Sequence, residues 1–293
     1  MKRLLPAFLA LLLVVPVAAQ ESDEVVTTPK DVEFAESIMD EQAAYLQANP
    51  DATTPELMLI AAKRMLGQPY VAGTLDKENP EALRIYLTQT DCILFVETVF
   101  NLAETVKDGR SDFDSFAAHV RGTRYRGGVV DGYGSRIHYT TEWIRQAEGR
   151  GVVKDLSEQF GEVYDHPIFF MTKNYKRYRQ LKDADSDPVA KTDLEIIAGV
   201  EKILSAEPQY YIPQEKIKAM EGNIRTGDII GFMSGTPGLD IAHVVMAYVH
   251  DGKVGFIHAS MGKMEVIVDP KSIADYALSS KGITGIKVVR PTR

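Results

Sequence analysis

The feature that most constrains this chain of 293 residues is an apolar helical pattern that begins at its single cysteine, Cys92. Apolar side chains recur at helical spacing over the next four turns, at Phe95, Val96, Val99, Phe100, Leu102, Ala103 and Val106. So wide an apolar arc predicts a helix buried at the centre of a domain. Thr90 and Asp91 are both favoured N-cap residues, which predicts that Cys92 lies in the first turn.

A cysteine at this position is a candidate nucleophile. The unpaired N–H groups of a helix start and the positive end of the helix dipole favour a thiolate over a thiol. The same N–H groups could also receive an oxyanion. The alternative interpretation is that Cys92 is a small buried apolar residue, since free cysteine is among the most buried residue types.

The N-terminus has the pattern of a secretion signal. Lys2 and Arg3 form a short positive region, residues 4–17 are almost wholly apolar, and small residues end the segment at Ala19. We expect export to the periplasm or the extracellular space, with residues 1–19 removed. The apolar run is too short to span a membrane comfortably, so no stable membrane insertion is expected after cleavage.

Charge and cysteine content exclude some classes of protein. The net charge of −8 argues against nucleic-acid binding, which needs clustered lysine and arginine. An exported protein with one unpaired cysteine is unusual, because proteins in oxidising compartments normally pair their thiols. A free reactive thiol is therefore worth attention. The pattern does not predict an oligomeric state.

The order of the predicted elements indicates the α+β class, with helices first and an antiparallel sheet second. Polar residues 20–31 predict a mobile leader, and residues 32–293 a single domain in which 172–206 form a peripheral helical insertion. Helices are expected at 32–47, 54–66, 92–106, 113–120 and around Trp143. Strands are expected at 152–156, 163–171, 228–233, 241–250, 254–259, 264–268 and 283–289.

Two of the six histidines are brought together by a predicted hairpin. The dipeptide Asp251-Gly252 is a strong two-residue turn signal. If the turn pairs residue 250 with residue 253, His243 and His258 lie on one face as diagonal neighbours. Their Cβ atoms are then roughly 7 Å apart, within reach of a hydrogen bond between imidazoles.

These residues suit nucleophilic catalysis. A thiol nucleophile needs a base within hydrogen-bond reach, and the base needs a third group that fixes its tautomer. Cys92, His243 and His258 can fill these three roles. They could instead bind zinc, although no closely spaced Cys or His pair supports a metal site. Either histidine could also be an ordinary polar residue at a strand end.

Several segments resemble the N-acetylmuramoyl-L-alanine amidase-like branch of the NlpC-type papain-like cell-wall cysteine hydrolases. The similarity is spread over residues 55–290. It is carried by residues 69–75, 91–97, 124–127, 136–139, 238–244 and 257–260. Two positions depart from the branch: Leu94 stands where threonine is usual, and Val245 where glycine is common. Leu94 is close enough in sequence to Cys92 to affect specificity.

The resemblance implies a papain-like, NlpC-type fold in which a nucleophile helix packs on an antiparallel sheet, with added N-terminal helices. It implies that Cys92 is the nucleophile, His243 the general base and then acid, and His258 the orienting residue. It places Tyr70 beside the cysteine, and gives Asp91 a role in binding a free amine of the stem peptide. It implies no cofactor.

Three further residues are candidates for substrate binding. Arg136 and His138 could contact the sugar or the carboxylates of the stem peptide, since arginine binds carboxylates through two hydrogen bonds. Alternatively, Arg136 begins a helix and His138 packs beside Trp143. Asp240 precedes His243 in a loop and could line the cleft. Glu97 lies off the face of Cys92, which favours a structural ion pair.

Together these observations predict an exported cysteine amidase that hydrolyses peptidoglycan or muropeptides. The resemblance favours the bond between N-acetylmuramic acid and L-Ala. One alternative is an endopeptidase that cuts between D-Glu and the diamino acid. The other is an inactive protein that binds muropeptides, although a pure binding protein has no need of a vulnerable thiol.

Overall fold

The computed structural model describes residues 25–77 and 79–293. The predicted signal peptide therefore lies outside the described residues. The helices are α1 Pro29–Ala48, α2 Thr54–Arg64, α3 Cys92–Lys107, α4 Phe113–Arg124, α5 Thr140–Gly149, α6 Ser157–Phe160, α7 Phe170–Lys173, α8 Pro188–Ala206, α9 Ile217–Met220 and α10 Ile273–Ser279. The strands are β1 Val25–Val26, β2 Leu83–Arg84, β3 Val153–Asp155, β4 Glu162–Val163, β5 Tyr210–Pro213, β6 Ile229–Ser234, β7 Ile241–His250, β8 Lys253–Ser260, β9 Glu265–Val268 and β10 Ile283–Pro291.

Helices and an antiparallel sheet make up the architecture, as the α+β prediction requires. The main sheet has the order β4-β5-β10-β6-β7-β8-β9, and β3 pairs with β10. All pairings in this sheet are antiparallel. Along β7 and β8 the register joins His250 to Lys253, which confirms the predicted hairpin. No helix within the described ranges has the length and apolar character needed to cross a membrane.

Helix α3 is the centre of the larger apolar core. It packs against α1, α2 and α4 on one side and against β7 and β8 on the other. Phe95, Val99 and Leu102 are fully buried, as expected for a helix that is apolar over most of its circumference. A second apolar cluster, which includes Phe232, Phe256 and residues of α9 and α10, covers the other side of the central strands.

The predicted mobile leader is wrong for residues 25–31. Val25–Val26 pairs in parallel with Leu83–Arg84, and α1 begins at Pro29. Asp31 is fully buried, and its Oδ1 accepts hydrogen bonds from the backbone N–H groups of Leu87 and Thr88 at 2.7 and 2.8 Å. A polar sequence was therefore fixed by contacts with residues more than fifty positions away.

The predicted strand over residues 163–171 is also wrong. Strand β4 ends at Val163, and α7 begins at Phe170. Both Phe169 and Phe170 donate their backbone N–H groups to the carbonyl of Gly238, at 3.1 and 3.0 Å. These bonds join the segment to the loop before β7. The two N–H groups are therefore not available for the hydrogen bonds of a longer strand.

Residues 172–206 have a more specific place than the predicted peripheral insertion. The side chain of Glu201 on α8 is buried and accepts hydrogen bonds from the Tyr139 hydroxyl at 2.6 Å and from the Met171 N–H at 3.0 Å. Asp193 Oδ1 accepts from the Gly134 N–H at 2.8 Å. The insertion therefore holds the segment around residues 133–139.

Substitution in α3 tests its central position. We expect Leu102→Ala to lower the free energy of unfolding by about 2–5 kcal/mol, because it removes a fully buried side chain and leaves a cavity. Urea denaturation measures the change. Leu278→Ala on α10, where the side chain is 58 % exposed, is the control and should change stability by about 0.5 kcal/mol or less. Equal losses of unfolding free energy at both positions would contradict the central position of α3 in the core.

Candidate active site

The start of α3 and the start of β7 border an open cavity of about 280 Å³. Its lining includes the proposed nucleophile and the proposed base, so the structure brings Cys92 and His243 together. The wall also carries charged and aromatic groups. Among these groups are Asp91, Arg136, His138 and Trp143.

Cys92 is the first residue of α3 and is half-buried. The preceding residue, Asp91, is the N-cap and accepts the backbone N–H of Leu94 at 3.0 Å, as predicted. Burial, with a smaller contribution from the nearby Asp91 carboxylate, raises the pKa of the Cys92 thiol to about 11. Backbone N–H groups, foremost that of Val244, oppose the rise. The expected thiolate is therefore wrong for the resting protein, because burial outweighs the helix start.

The two histidines are directly bonded. His243 Nε2 lies 2.6 Å from His258 Nδ1, with the ring planes 75° apart. Burial lowers the pKa of His243 to about 3, with a further contribution from His258, and lowers the pKa of His258 to about 4. Both imidazoles are therefore neutral at pH 7, and one nitrogen of the bonded pair donates to the other.

Aromatic side chains fix the orientation of the pair. The Phe232 ring stacks parallel to His243 with 6.2 Å between centroids, and Phe256 meets His258 edge-on at 4.9 Å. The Tyr276 ring lies 6.2 Å from His243 and 6.0 Å from His258. Because Nε2 of His243 is engaged by His258, Nδ1 is the nitrogen left to exchange a proton within the cavity.

The backbone brings the thiol close to His243. The N–H of Val244, which belongs to the peptide group that follows His243, acts on the Cys92 sulfur and lowers the pKa of the thiol. Burial, Asp269 and, when it is ionised, Cys92 raise the pKa of Tyr276, a neighbour of both histidines. Cys92 and His243 also line the same cavity, and a neutral thiol can pass its proton to a neutral imidazole when a substrate carbonyl is attacked.

Arg136 lies on the cavity wall but is already paired. Its guanidinium contacts the carboxylate of Asp76, lies 3.5 Å from Glu81, and covers the Tyr133 ring at 4.7 Å. Burial lowers the pKa of Arg136, but Glu81 and Asp76 raise it more strongly, so the guanidinium stays charged. Its charge is thus neutralised by protein groups, which favours a structural role for this residue. The alternative that Arg136 begins a helix is wrong, because α5 begins at Thr140.

His138 lines the same wall. Its Nε2 is 2.9 Å from the carbonyl oxygen of Tyr133, and since a carbonyl only accepts, Nε2 carries the proton. Burial and the Arg136 charge lower the pKa of His138, so its imidazole is neutral. Nδ1 is therefore left as an acceptor. The ring packs on Tyr133 with 4.4 Å between centroids.

The prediction that Asp240 lines the cleft is wrong. Asp240 is 2 % exposed, and its Oδ2 accepts the backbone N–H of Thr141 at 2.8 Å. The carboxylate therefore satisfies the first turn of α5. Tyr70 pairs with Thr90, next to the N-cap of α3, and its pKa is raised by burial and, when they are ionised, by Cys92 and Asp91. It lies near the thiol, and its role in catalysis stays a prediction.

The matching family model has the description N-acetylmuramoyl-L-alanine amidase-like (AmiA-like) and covers residues 60–283. The chain belongs to this family. It is similar to an N-acetylmuramoyl-L-alanine amidase of Bacteroides uniformis ATCC 8492, with 31 % identity, a TM-score of 0.75, and coverage of 82 % of this chain and 99 % of that one. No curated protein sequence matches it significantly.

Two further solved structures resemble this amidase-like protein. A Bacteroides fragilis protein provisionally named a xylanase has 30 % identity and a TM-score of 0.72, with coverage of 78 % of this chain and 98 % of that one. A Legionella pneumophila protein has 20 % identity and a TM-score of 0.62, with coverage of 90 % and 97 % respectively. The second likeness shows the fold alone.

The amidase-like protein also has site residues whose partners the sequence did not identify. Glu97 forms the expected ion pair, and its partner is Arg124, whose Nε donates at 2.9 Å. The guanidinium of Arg124 is therefore engaged by a protein carboxylate. Both members of the buried pair line the cavity. Asp269 lies 3.2 Å from His258 Nε2 and was not singled out.

Among the described residues of this amidase-like protein, no group of three or more His, Cys, Asp or Glu side chains is placed to hold a metal ion. The zinc alternative needs such a group, with three or four ligands converging on one point. Cys92 and His243 instead line one cavity, and His243 and His258 bond directly. The arrangement is that of proton transfer between side chains.

Alkylation tests the electrostatics of the thiol. Asp91→Asn should keep the helix cap, since asparagine caps as well as aspartate, while removing the charge that raises the thiol pKa. We expect the rate of iodoacetamide labelling at pH 8 to rise several-fold, as followed by mass spectrometry. Cys92 is the only cysteine, so Cys92→Ala gives the background. An unchanged or slower rate would show that Asp91 does not act on the thiol.

Proposed function

We propose that this protein is a cysteine-dependent amidase that hydrolyses the N-acetylmuramoyl–L-Ala bond of peptidoglycan or muropeptides. The observation that carries the proposal is one cavity lined by the single cysteine, at a helix start, and by a histidine bonded to a second histidine. Membership of the amidase-like family supports the substrate class. The packing of α3 on strands β7 and β8 supports a papain-like, NlpC-type fold.

In the proposed acylation, Nδ1 of His243 takes the thiol proton as the Cys92 sulfur attacks the lactyl carbonyl carbon. Backbone N–H groups at the start of α3 stabilise the oxyanion. The C–N bond then breaks, and His243 gives the proton to the leaving amino group of L-Ala. The product that remains on the enzyme is a thioester with Cys92.

Deacylation reverses the roles of the same groups. His243 removes a proton from water, the resulting hydroxide attacks the thioester carbonyl, and the C–S bond breaks. The departing sulfur recovers the proton from His243, which regenerates the neutral pair. His258 holds the imidazole in place through the 2.6 Å bond in both half-reactions.

An endopeptidase that cuts between D-Glu and the diamino acid is the second candidate. The Asp91 carboxylate on the cavity wall favours it, because a carboxylate beside the nucleophile could bind the free amine of a stem peptide. In the resting structure this carboxylate caps α3 through Leu94. Burial raises the pKa of Asp91, which opposes a permanent negative charge there.

Product analysis distinguishes these functions. We expect a defined disaccharide-peptide to yield an intact stem peptide and a disaccharide with a free lactyl carboxylate, as identified by mass spectrometry. Cleavage between D-Glu and the diamino acid would support the endopeptidase. Scission between sugars would support a glycosidase, and unchanged substrate bound equally by the native protein and Cys92→Ala would support a pure binding protein.

Paired histidine variants test the base on the same substrate. His243→Asn should lower kcat/KM by about 10²–10⁴-fold, the usual range for loss of a general base. His250→Asn is the control, because His250 lies at the other end of β7 and stacks on Tyr248. We expect it to retain at least half the activity. Similar losses in both variants would argue that the strand, and not the imidazole, was damaged.

We also propose that the protein is exported and loses residues 1–19. The positive region at Lys2 and Arg3, the apolar run and the small residues before Gln20 support this proposal. Mass spectrometry of the protein purified from its native cells should find Gln20 at or near the N-terminus. An intact N-terminus in a cytoplasmic fraction would overturn the proposal.

A further inference from the structure

We propose that Asp269 is a positioning residue that fixes the tautomer of His258 and thereby keeps Nδ1 of His243 free to accept a proton. The inference rests on the proposed function and adds a fourth member to the row Cys92, His243 and His258. Its basis is a buried contact: His258 Nε2 lies 3.2 Å from Asp269 Oδ2, with His258 2 % exposed and Asp269 9 % exposed.

The contact determines where one proton resides. Within the described residues, Nε2 of His258 makes no hydrogen bond, and Oδ2 of Asp269 is the carboxylate oxygen beside it. A lone pair on Nε2 would face a negative oxygen, whereas a proton on Nε2 faces an acceptor. The carboxylate therefore favours the tautomer of His258 with the proton on Nε2.

This tautomer determines the next one. With its proton on Nε2, neutral His258 has an unprotonated Nδ1, which can only accept. His243 Nε2, 2.6 Å away, must then be the donor. Neutral His243 carries one proton, so Nδ1 of His243 is unprotonated, as a base for Cys92 requires. The single carboxylate of Asp269 thus determines the tautomers of both imidazoles.

The backbone holds the carboxylate of Asp269 in position. Its N–H donates to the Phe256 carbonyl at 3.0 Å, which fixes the residue just after β9 against β8. Its Oδ1 accepts the N–H of Lys271 at 2.8 Å, so Oδ2 is the oxygen left for His258. The other ionisable group packed on the pair is Tyr276 from α10, whose pKa is raised by burial and by Asp269, so it stays neutral.

This geometry predicts an unusual order of severity between two substitutions. In Asp269→Asn, the Lys271 N–H requires an acceptor, so the amide oxygen takes that position and the NH₂ group faces His258. An N–H donor facing Nε2 of His258 moves the proton of His258 to its Nδ1, which then donates to Nε2 of His243. The proton of His243 must therefore lie on its own Nδ1, and that nitrogen can no longer accept the thiol proton. Asp269→Ala removes the preference without imposing the wrong tautomer.

We expect Asp269→Asn to lower kcat/KM on the disaccharide-peptide by about 100-fold or more, and Asp269→Ala by only about tenfold. A residue that merely filled space would give the reverse order, because asparagine matches aspartate in shape. Asp108→Asn is the control: Asp108 forms a comparable contact of 3.3 Å with His119 Nε2, and the variant should keep full activity. Thermal melting checks that each variant is folded.

Nitrogen-15 NMR of the histidine side chains tests the tautomers without any substrate. The native protein should show His258 protonated on Nε2 and unprotonated on Nδ1, and Asp269→Asn should exchange the two. A native His258 protonated on Nδ1 would overturn the inference, as would an Asp269→Asn variant more active than Asp269→Ala. Correct tautomers in a protein that cleaves no muropeptide would instead refute the proposed function.

Discussion

The burial of the α3 start against β7 is the constraint on which the rest of the site depends. A helix terminus typically stabilises a nearby charge by about 0.3–1 kcal/mol. Desolvation of a buried ionisable group can reach about 3–5 pKa units, each worth about 1.4 kcal/mol. Burial therefore dominates at Cys92, and the resting sulfur is a thiol. The cap and the dipole can contribute only when charge develops on the carbonyl oxygen during attack.

Because the Cys92 thiol and the His243 imidazole are both neutral at rest, they do not form a preformed thiolate–imidazolium ion pair. In the mechanism we propose, His243 receives the proton during the attack, so its free nitrogen has to be unprotonated beforehand. The orientation supplied by His258, Phe232 and Phe256 then matters more than the average charge of the pair. An uncharged thiol is also less prone to oxidation than an exposed thiolate.

The sequence predicts contacts between neighbours in the chain far better than contacts across it. The pairing of His243 with His258 followed from one turn and the two-residue period of strands, and both hold in the structure. Asp269 was within reach of the same reasoning, since β8 and β9 form the next antiparallel pair along the chain. The turn signal at Asp251-Gly252 specifies the register of β7 and β8 only, so it does not extend to Asp269.

Contacts between distant segments left no such signal. Asp240 satisfies an α5 N–H that belongs to Thr141, 99 residues earlier, and the loop pattern alone made it a cleft residue. The Arg124 partner, Glu97, lies in a different helix 27 residues earlier. Periodicity specifies which face of an element is buried, but it does not specify which polar groups meet when two such faces pack.

The wall opposite the catalytic row depends on the insertion more than on the central helix. Asp193 and Glu201 of α8 bind Gly134 and Tyr139, which flank the segment that carries Arg136 and His138. At Gly134 an added Cβ would lie 2.9 Å from Asp193 Oδ1 and 3.0 Å from its Cα, so the two segments meet at a distance that only glycine allows. The groups that we propose for the chemistry lie on α3 and the β7–β8 hairpin, whereas α8 fixes the shape of the opposite wall. A change in α8 can therefore alter which substrate fits without moving the thiol or the histidines.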